Sequence, residues 1–199
     1  MKKCDVTKIC LGVLVVMAFC FVASQQLMAT EKFTLKKGDQ EWLTFEIQKD
    51  GGKAASPTLS VTVKRKADKY EFTTPSAVYL MKTKEEGKFK IYKPDGALLF
   101  KVKIDGEKRK ISQTEDDKDA WSMKLKDDNQ RYKVEKSETE LGQVKFYSDN
   151  SKIKVKDPSD VERCSMQSDR LRSAPAVCLF TDLTEEQQLI LFTLLMIVD

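Results

Sequence analysis

Hydrophobic and polar residues alternate with a period of two along most of this chain. Between Leu43 and Gln48, apolar residues take every second position and polar residues take the positions between them. Further runs of this kind lie at residues 59–64, 98–104, 121–126, 132–134, 144–146 and 153–155. Because successive side chains of a strand point to opposite faces, each run predicts a strand with one apolar and one charged face. This pattern is typical of an antiparallel sheet with one solvated side.

Residues that favour turns separate these runs. The clearest examples are Lys93–Gly96, Asp105–Gly106, residues 127–129 and residues 148–150. The runs amount to about twelve to fourteen short strands at regular spacing, which predicts a barrel or a sandwich. We predict a mainly β fold, an antiparallel barrel of roughly twelve strands, because closing a sheet removes its exposed edges.

The last segment has a different pattern, which predicts a helix over residues 184–198. Thr184 is a good N-cap with Gln187 at the capping-box position. Between Leu189 and Val198 only Thr193 is polar, and a helix that is apolar on all sides must be buried in protein or in lipid. Ten apolar residues are about half a membrane span, so burial inside the barrel is the preferred interpretation and a membrane anchor is the alternative. The residues predicted to be buried are Leu189, Leu191, Phe192, Leu195 and Met196.

The N-terminal segment, residues 1–29, has the layout of a signal peptide. A short basic region precedes an apolar stretch from Ile9 to Ala23, and small residues follow it. We predict cleavage after Ala29, with Ser24 as the alternative position, and a single domain over residues 30–199. The protein would then be exported, either to the periplasm or to the medium. An uncleaved anchor is the alternative, although the apolar stretch is shorter than the roughly 20 residues that span a bilayer.

After such a cleavage only two cysteines remain, Cys164 and Cys178. A pair of cysteines in an oxidising compartment is a candidate disulfide. If residues 161–167 and 175–181 form a hairpin, the two thiols face each other across it. Two buried, unpaired cysteines are the alternative.

Composition excludes several classes of function. The chain has 35 basic and 31 acidic residues and no histidine. Three lysines and one aspartate lie in residues 1–29, so residues 30–199 have 32 basic and 30 acidic residues, a net charge of +2. This balance does not favour a nucleic-acid partner. Without histidine or a nucleophile motif, we expect a protein that is not an enzyme and holds no metal or cofactor.

Lysines recur on the charged faces of the predicted strands. They could contact anionic lipid headgroups or cell-wall polymers, or they could simply be a solvated strand face. The candidate contacts are Lys101, Lys103, Lys124, Lys126, Lys152 and Lys154. Carboxylates cluster at Glu115, Asp116, Asp117 and Asp119, which could bind calcium but lack the spacing of an EF-hand loop, so a solvated loop is preferred.

The hairpins GKFKIYKPDGALLFKVK, WSMKLKDDNQRYKVEK and LGQVKFYSDNSKIKVKD, with the terminal LTEEQQLILFTLLMIVD, resemble the tubby-like family. This family includes the LURP-one-related and phospholipid scramblase proteins. The resemblance covers residues 31–199 and implies a twelve-stranded barrel around a hydrophobic C-terminal helix. It also implies binding to lipid or to a membrane surface.

The expected function is that of an exported structural or protein-interaction module of the cell envelope, because the helix has enough apolar bulk to fill a barrel. The alternative is a lipid-binding or anionic-membrane-binding protein of the envelope. The partner is therefore an envelope protein or a lipid, with peripheral membrane contact possible, and the sequence leaves the oligomeric state open.

Overall fold

A computed structural model describes residues 31–67, 69–126 and 130–199 and contains a closed antiparallel β-barrel. The predicted signal peptide lies outside the described residues. The fourteen strands are β1 (Lys32–Lys37), β2 (Gln40–Gln48), β3 (Gly51–Ala55), β4 (Ser60–Lys66), β5 (Lys69–Thr73), β6 (Val78–Glu85), β7 (Lys88–Tyr92), β8 (Leu98–Asp105), β9 (Lys108–Ser112), β10 (Trp121–Leu125), β11 (Arg131–Lys136), β12 (Thr139–Tyr147), β13 (Lys152–Lys156) and β14 (Glu162–Gln167). Each strand pairs with its neighbours in the sequence, and β1 pairs with β14 to close the barrel.

The predicted barrel is confirmed, but the number of strands is fourteen rather than twelve. Strand β3 shows why a count from the sequence falls short, because it contains no large apolar residue. A Cβ atom on Gly52 would lie 2.6 Å from Cζ of Phe45, so the ring of Phe45 takes the space that a side chain on β3 would need. Packing against a neighbouring strand has therefore removed the alternating pattern.

The final segment of the chain fills the barrel. It crosses the interior first as a 3₁₀ helix, Ala174–Leu179, and returns as the helix α1, Glu185–Val198. The side chains of Leu189, Leu191, Phe192, Leu195 and Met196 are all at most 3% exposed. Phe192 packs edge to face against Phe45 of β2, with 6.4 Å between the ring centroids. A barrel of this width cannot be filled by its strand side chains alone, and the returning segment supplies the missing volume.

Cys164 and Cys178 lie at disulfide-bonding distance, with 2.05 Å between the sulfurs, as the sequence predicts. The predicted hairpin around them is wrong. Residues 162–167 form the strand β14, but residues 174–179 form the 3₁₀ helix and are buried inside the barrel. The bond therefore joins the barrel to the segment that fills it.

The barrel has two different ends, because successive turns of an antiparallel meander alternate between them. The N-terminus of α1 lies among the turns 56–59 and 74–77, and we name this end the latched end. The C-terminus of α1 lies at the opposite end, beside the turn 49–50 and Ala67. We name this second end the mouth.

Candidate functional surfaces

Positive and negative charges occupy different parts of the fold. The fourteen strands contain 26 of the 32 basic residues of positions 30–199, but only 8 of the 30 acidic residues. The remaining 22 acidic residues lie outside the strands, and two of them, Glu185 and Glu186, are in the first turn of α1. The small net charge therefore results from an uneven distribution, in which the strands are strongly basic and most acidic residues lie outside them.

Five lysines form a continuous row across five neighbouring strands, from β4 to β8. Lys66 is the cross-strand partner of Lys69, Lys69 of Lys82, Lys82 of Lys90, and Lys90 of Lys101. Like charges directly opposite each other destabilise a sheet. This lysine row therefore lowers the stability of the barrel. A feature that lowers stability is expected at a functional surface rather than at a purely structural one.

An acidic segment between β9 and β10, residues 113–119, crosses one half of the lysine row, and we name it the acidic strap. Its Glu115 accepts hydrogen bonds of 2.7 and 2.8 Å from the ammonium group of Lys90. The hydrogen bond from Lys90 is the main cause that lowers the pKa of Glu115. The strap thus places a carboxylate directly on the row.

Asp117 is the central carboxylate of the strap. Its oxygens lie 2.6 Å from Lys101 Nζ, 2.9 Å from Lys103 Nζ and 3.6 Å from Lys110 Nζ. Burial raises the pKa of Asp117, but the hydrogen bonds and charges of Lys101 and Lys103 outweigh burial and bring the pKa to about 2. The strap is therefore ionised and bound to the strands at neutral pH.

The six lysines predicted to contact an anionic surface do not form one site. Lys101 is only 7% exposed and lies beneath the strap together with Lys103. Lys124 is exposed on β10, and Lys126 follows that strand. The remaining two lie on β13, where Lys154 forms an ion pair of 2.9 Å with Glu162. The sequence predicts that the strap is a solvated loop. Its contacts with lysines depend on the strand register, which the sequence pattern does not reveal.

A notch interrupts the surface where the barrel closes. Strands β1 and β14 pair through only two residue pairs, whereas the other neighbouring strands pair through at least four. The notch has a volume of about 250 Å³. It is lined by Lys32, Thr34, Lys36, Lys152, Ser165, Met166 and Gln167. Three lysines and two hydroxyl groups thus surround a recess, and no carboxylate from the described part of the chain lines it.

The mouth contains two adjoining clefts of about 440 and 210 Å³. Arg65, Tyr70 and Ile197 line both of them. The larger cleft is completed by Ala67, Met81, Thr83, Phe89 and Val198. Reasoning from the sequence missed these clefts, because alternating residues near strand ends have the same pattern whether they are covered or open.

Asp199 fixes the helix C-terminus at the mouth. Its Oδ2 accepts hydrogen bonds from the backbone N–H of Ser173 (2.5 Å) and from the Ser173 hydroxyl (2.7 Å), and its Oδ1 lies 3.5 Å from Arg109. A carboxylate is unfavourable at the negative end of a helix dipole, so these donors offset that repulsion.

At the latched end, hydroxyl groups hold the first turn of α1. Ser56 and Thr58 donate hydrogen bonds of 2.5 and 2.7 Å to Glu185. These two hydrogen bonds are the main causes that lower the pKa of Glu185. The carboxylate also lies at the positive end of the helix dipole, where a negative charge is favourable.

Glu186 makes the second contact of this end. Ser76 donates a hydrogen bond of 2.7 Å to it. Burial raises the pKa of Glu186, but hydrogen bonds from Thr74, Ser76 and Tyr79 lower it by more. The two glutamates thus connect α1 to the turns β3–β4 and β5–β6.

Within the described ranges, no group of cysteine, aspartate or glutamate side chains is arranged to hold a metal ion. None of the described helices is long and apolar enough to cross a membrane. No protein-family model, no curated protein and no solved structure matches this chain. The resemblance to the tubby-like family therefore stays a prediction.

Proposed function

We propose that this protein is an exported, non-enzymatic interaction module that binds an acidic protein segment through the lysines of its strands. The single observation that carries the proposal is the lysine row, in which five strands in succession place lysines opposite one another. Such a row costs stability in the free protein, and an anionic partner relieves the repulsion.

The filled interior supports binding on the outside of the barrel. The middle of α1 is buried on all sides, and the 3₁₀ helix occupies the space beside it. A ligand in the interior would first have to displace these residues, whereas a partner on the outer surface displaces only water.

The acidic strap is an internal example of the proposed contact. Glu115 and Asp117, two residues apart, bind Lys90 and Lys101 at one half of the row. The other half, Lys66, Lys69 and Lys82, remains outside the strap, and Lys66 forms an ion pair with Glu71 of β5. We name it the free half. A partner with carboxylates at similar spacing would extend the same pattern of ion pairs along the free half.

Binding to an anionic membrane surface is the second candidate, and the notch between β1 and β14 favours it. Lys32, Lys36 and Lys152 surround this recess, and its described lining residues include no carboxylate. Basic residues near an anionic membrane each contribute about 1 kcal/mol to binding. In the notch, an anionic lipid headgroup would pair with lysines in the same way as the strap carboxylates pair with lysines of the row.

Covalent labelling of lysines tests the proposal. Cells expressing the full chain are treated with an amine-reactive reagent in the intact envelope, and the purified protein is treated in parallel. We expect Lys69 and Lys82 to be labelled several-fold less in the envelope, while the buried Lys101 stays unlabelled in both samples. The mass of the protein in the same spectra reports whether the chain begins at Thr30, as export with cleavage requires.

Equal labelling of the free half in both samples would contradict the proposal. Protection of the free half that survives removal of lipid by detergent supports a protein partner. Protection of Lys32, Lys36 and Lys152 that disappears with the lipid supports the membrane candidate. The double variant Lys69→Glu/Lys82→Glu should abolish partner retention in the envelope. The matched control Lys124→Glu reverses an exposed lysine on β10 and should retain it.

A further inference from the structure

The larger cleft of the mouth has the features of a small-molecule site that is separate from the lysine row. We infer that it binds a single-chain amphiphile, with the apolar chain in the cleft and an anionic head group at Arg65. This inference concerns a different surface and does not rest on the proposed partner.

The size and lining of the cleft fit one apolar chain. Its volume of about 440 Å³ lies within the range of roughly 300–1,000 Å³ that is typical of ligand sites. Phe89 contributes apolar surface from β7, and Ile197 and Val198 contribute it from the end of α1, while the fully buried Met81 of β6 lies beneath them. The adjoining cleft of about 210 Å³ offers room for the chain to continue past Ile197 towards Ile47.

Arg65 supplies the charge that selects the head group. Its cross-strand partner is Tyr70, and both residues line the two clefts. Among the described residues, none of the ion pairs involves Arg65, although many basic side chains of the strands have a carboxylate partner. A guanidinium group binds carboxylate or phosphate oxygens through two parallel hydrogen bonds, which fixes an anionic head at the edge of the cleft.

Other charges near the mouth agree with this orientation. Among the described residues, Arg65 is the one charged side chain that lines the larger cleft, whereas Lys49 and Asp50 also line the smaller one. An anionic head group is therefore favoured beside the larger cleft, and the chain end is directed towards the smaller one. Fatty acids and single-chain phospholipids share this chemistry.

Titration with dodecanoate, below the concentration at which it aggregates, tests the inference on the full-length mature protein. Backbone amide shifts measured by NMR should saturate at Gly51, Ala67 and Thr83. Arg65→Gln should weaken dodecanoate binding at least tenfold and leave binding of the neutral dodecanol within twofold. Thr83→Trp, which fills the cleft, should abolish both, and the thermal unfolding of each variant reports that it is folded.

Lys124→Gln is the matched control, because it removes an exposed charge from β10, six strands from β4 around the barrel. It should leave dodecanoate binding unchanged. The absence of saturable shifts with dodecanoate, together with an absence of Arg65-dependent binding to anionic-lipid vesicles, would overturn the inference, and so would equal weakening by Arg65→Gln and Lys124→Gln. Binding of anionic-lipid vesicles that depends on Arg65, without binding of free dodecanoate, would assign the head group to a membrane lipid.

Discussion

The two ends of the barrel are held together by different means. At the latched end, the turns that surround the helix are four residues long and contain Pro57 and Pro75, and hydroxyl groups bind Glu185 and Glu186. At the mouth, the turn between β2 and β3 has two residues, and Ile197 and Val198 are only half-buried. One end is closed by directional hydrogen bonds, and the other leaves apolar surface open.

This difference shows how one helix can serve two purposes. Hydrogen bonds at the first turn of α1 fix the position of the helix along the barrel axis. The last turn of α1 therefore stays in place although it is only partly covered. Apolar side chains at that last turn are then available to form a cleft. Stability and binding are thus assigned to opposite ends of the same element.

The largest difference between the ends should appear when helix side chains are shortened. Leu189→Ala, at the covered end of α1, should lower the free energy of unfolding by about 2–5 kcal/mol, because it leaves a cavity. Ile197→Ala, at the mouth, should cost less than about 1 kcal/mol, since its side chain is already partly exposed. Urea denaturation measures both values, and equal costs would mean that the mouth is packed as tightly as the interior.

Loss of the disulfide should have the next largest effect. The bond joins residues 14 positions apart, and a closed loop of this size contributes about 3 kcal/mol in the chain-entropy model. The double variant Cys164→Ala/Cys178→Ala should be less stable by about that amount. Hydrogen exchange should accelerate at residues 174–179 more than at the mouth turn 49–50; uniform acceleration would contradict a local tether.

Removal of the latch should have a smaller effect. Glu185→Ala removes the acceptor of two hydroxyl groups and a favourable charge at the helix N-terminus, so it should cost about 1 kcal/mol. The control Glu86→Ala changes an exposed glutamate in the mouth turn between β6 and β7 and should leave thermal unfolding unchanged. A similar loss of stability in both variants would contradict the conclusion that the two ends are held by different means.

The smallest effect concerns pH. The pKa values of Glu185 and Glu186 are lower in the folded protein than the ordinary value of about 4.3, so the folded state binds fewer protons. Their contribution to stability is present above that ordinary value and is lost as the pH falls through the folded pKa values. The unfolding free energy should therefore decrease less steeply between about pH 5 and pH 3 in Glu185→Gln/Glu186→Gln than in the unchanged protein. Identical slopes would contradict the hydrogen-bonded latch.

Much of the fold follows from local patterns in the sequence. Alternation around Phe45 marks a strand, and Thr184 with Gln187 marks a helix start that the structure confirms as a capping box. Both signals depend on residues close together in the chain. Strand β3 does not show this signal, because the ring of Phe45 on the neighbouring strand β2 leaves room only for a glycine at position 52.

The functional surfaces were less predictable for a related reason. Each lysine of the row stands in its own alternating run, but only strand register places Lys69 opposite Lys82. The register is set by turn lengths and packing along the whole meander. Likewise, nothing in the residues around Arg65 indicates that the end of α1 lies beside it.

The closure of the barrel through only two residue pairs between β1 and β14 has a consequence for the order of folding. All other strand pairs join neighbours in the sequence, and such local hairpins require little loop entropy. The closing pair joins the two ends of the meander and must wait until the intervening strands have formed. Since residues 174–198 lie inside the closed barrel, we expect them to be in place before β1 and β14 meet, as a sheet wraps around its own core.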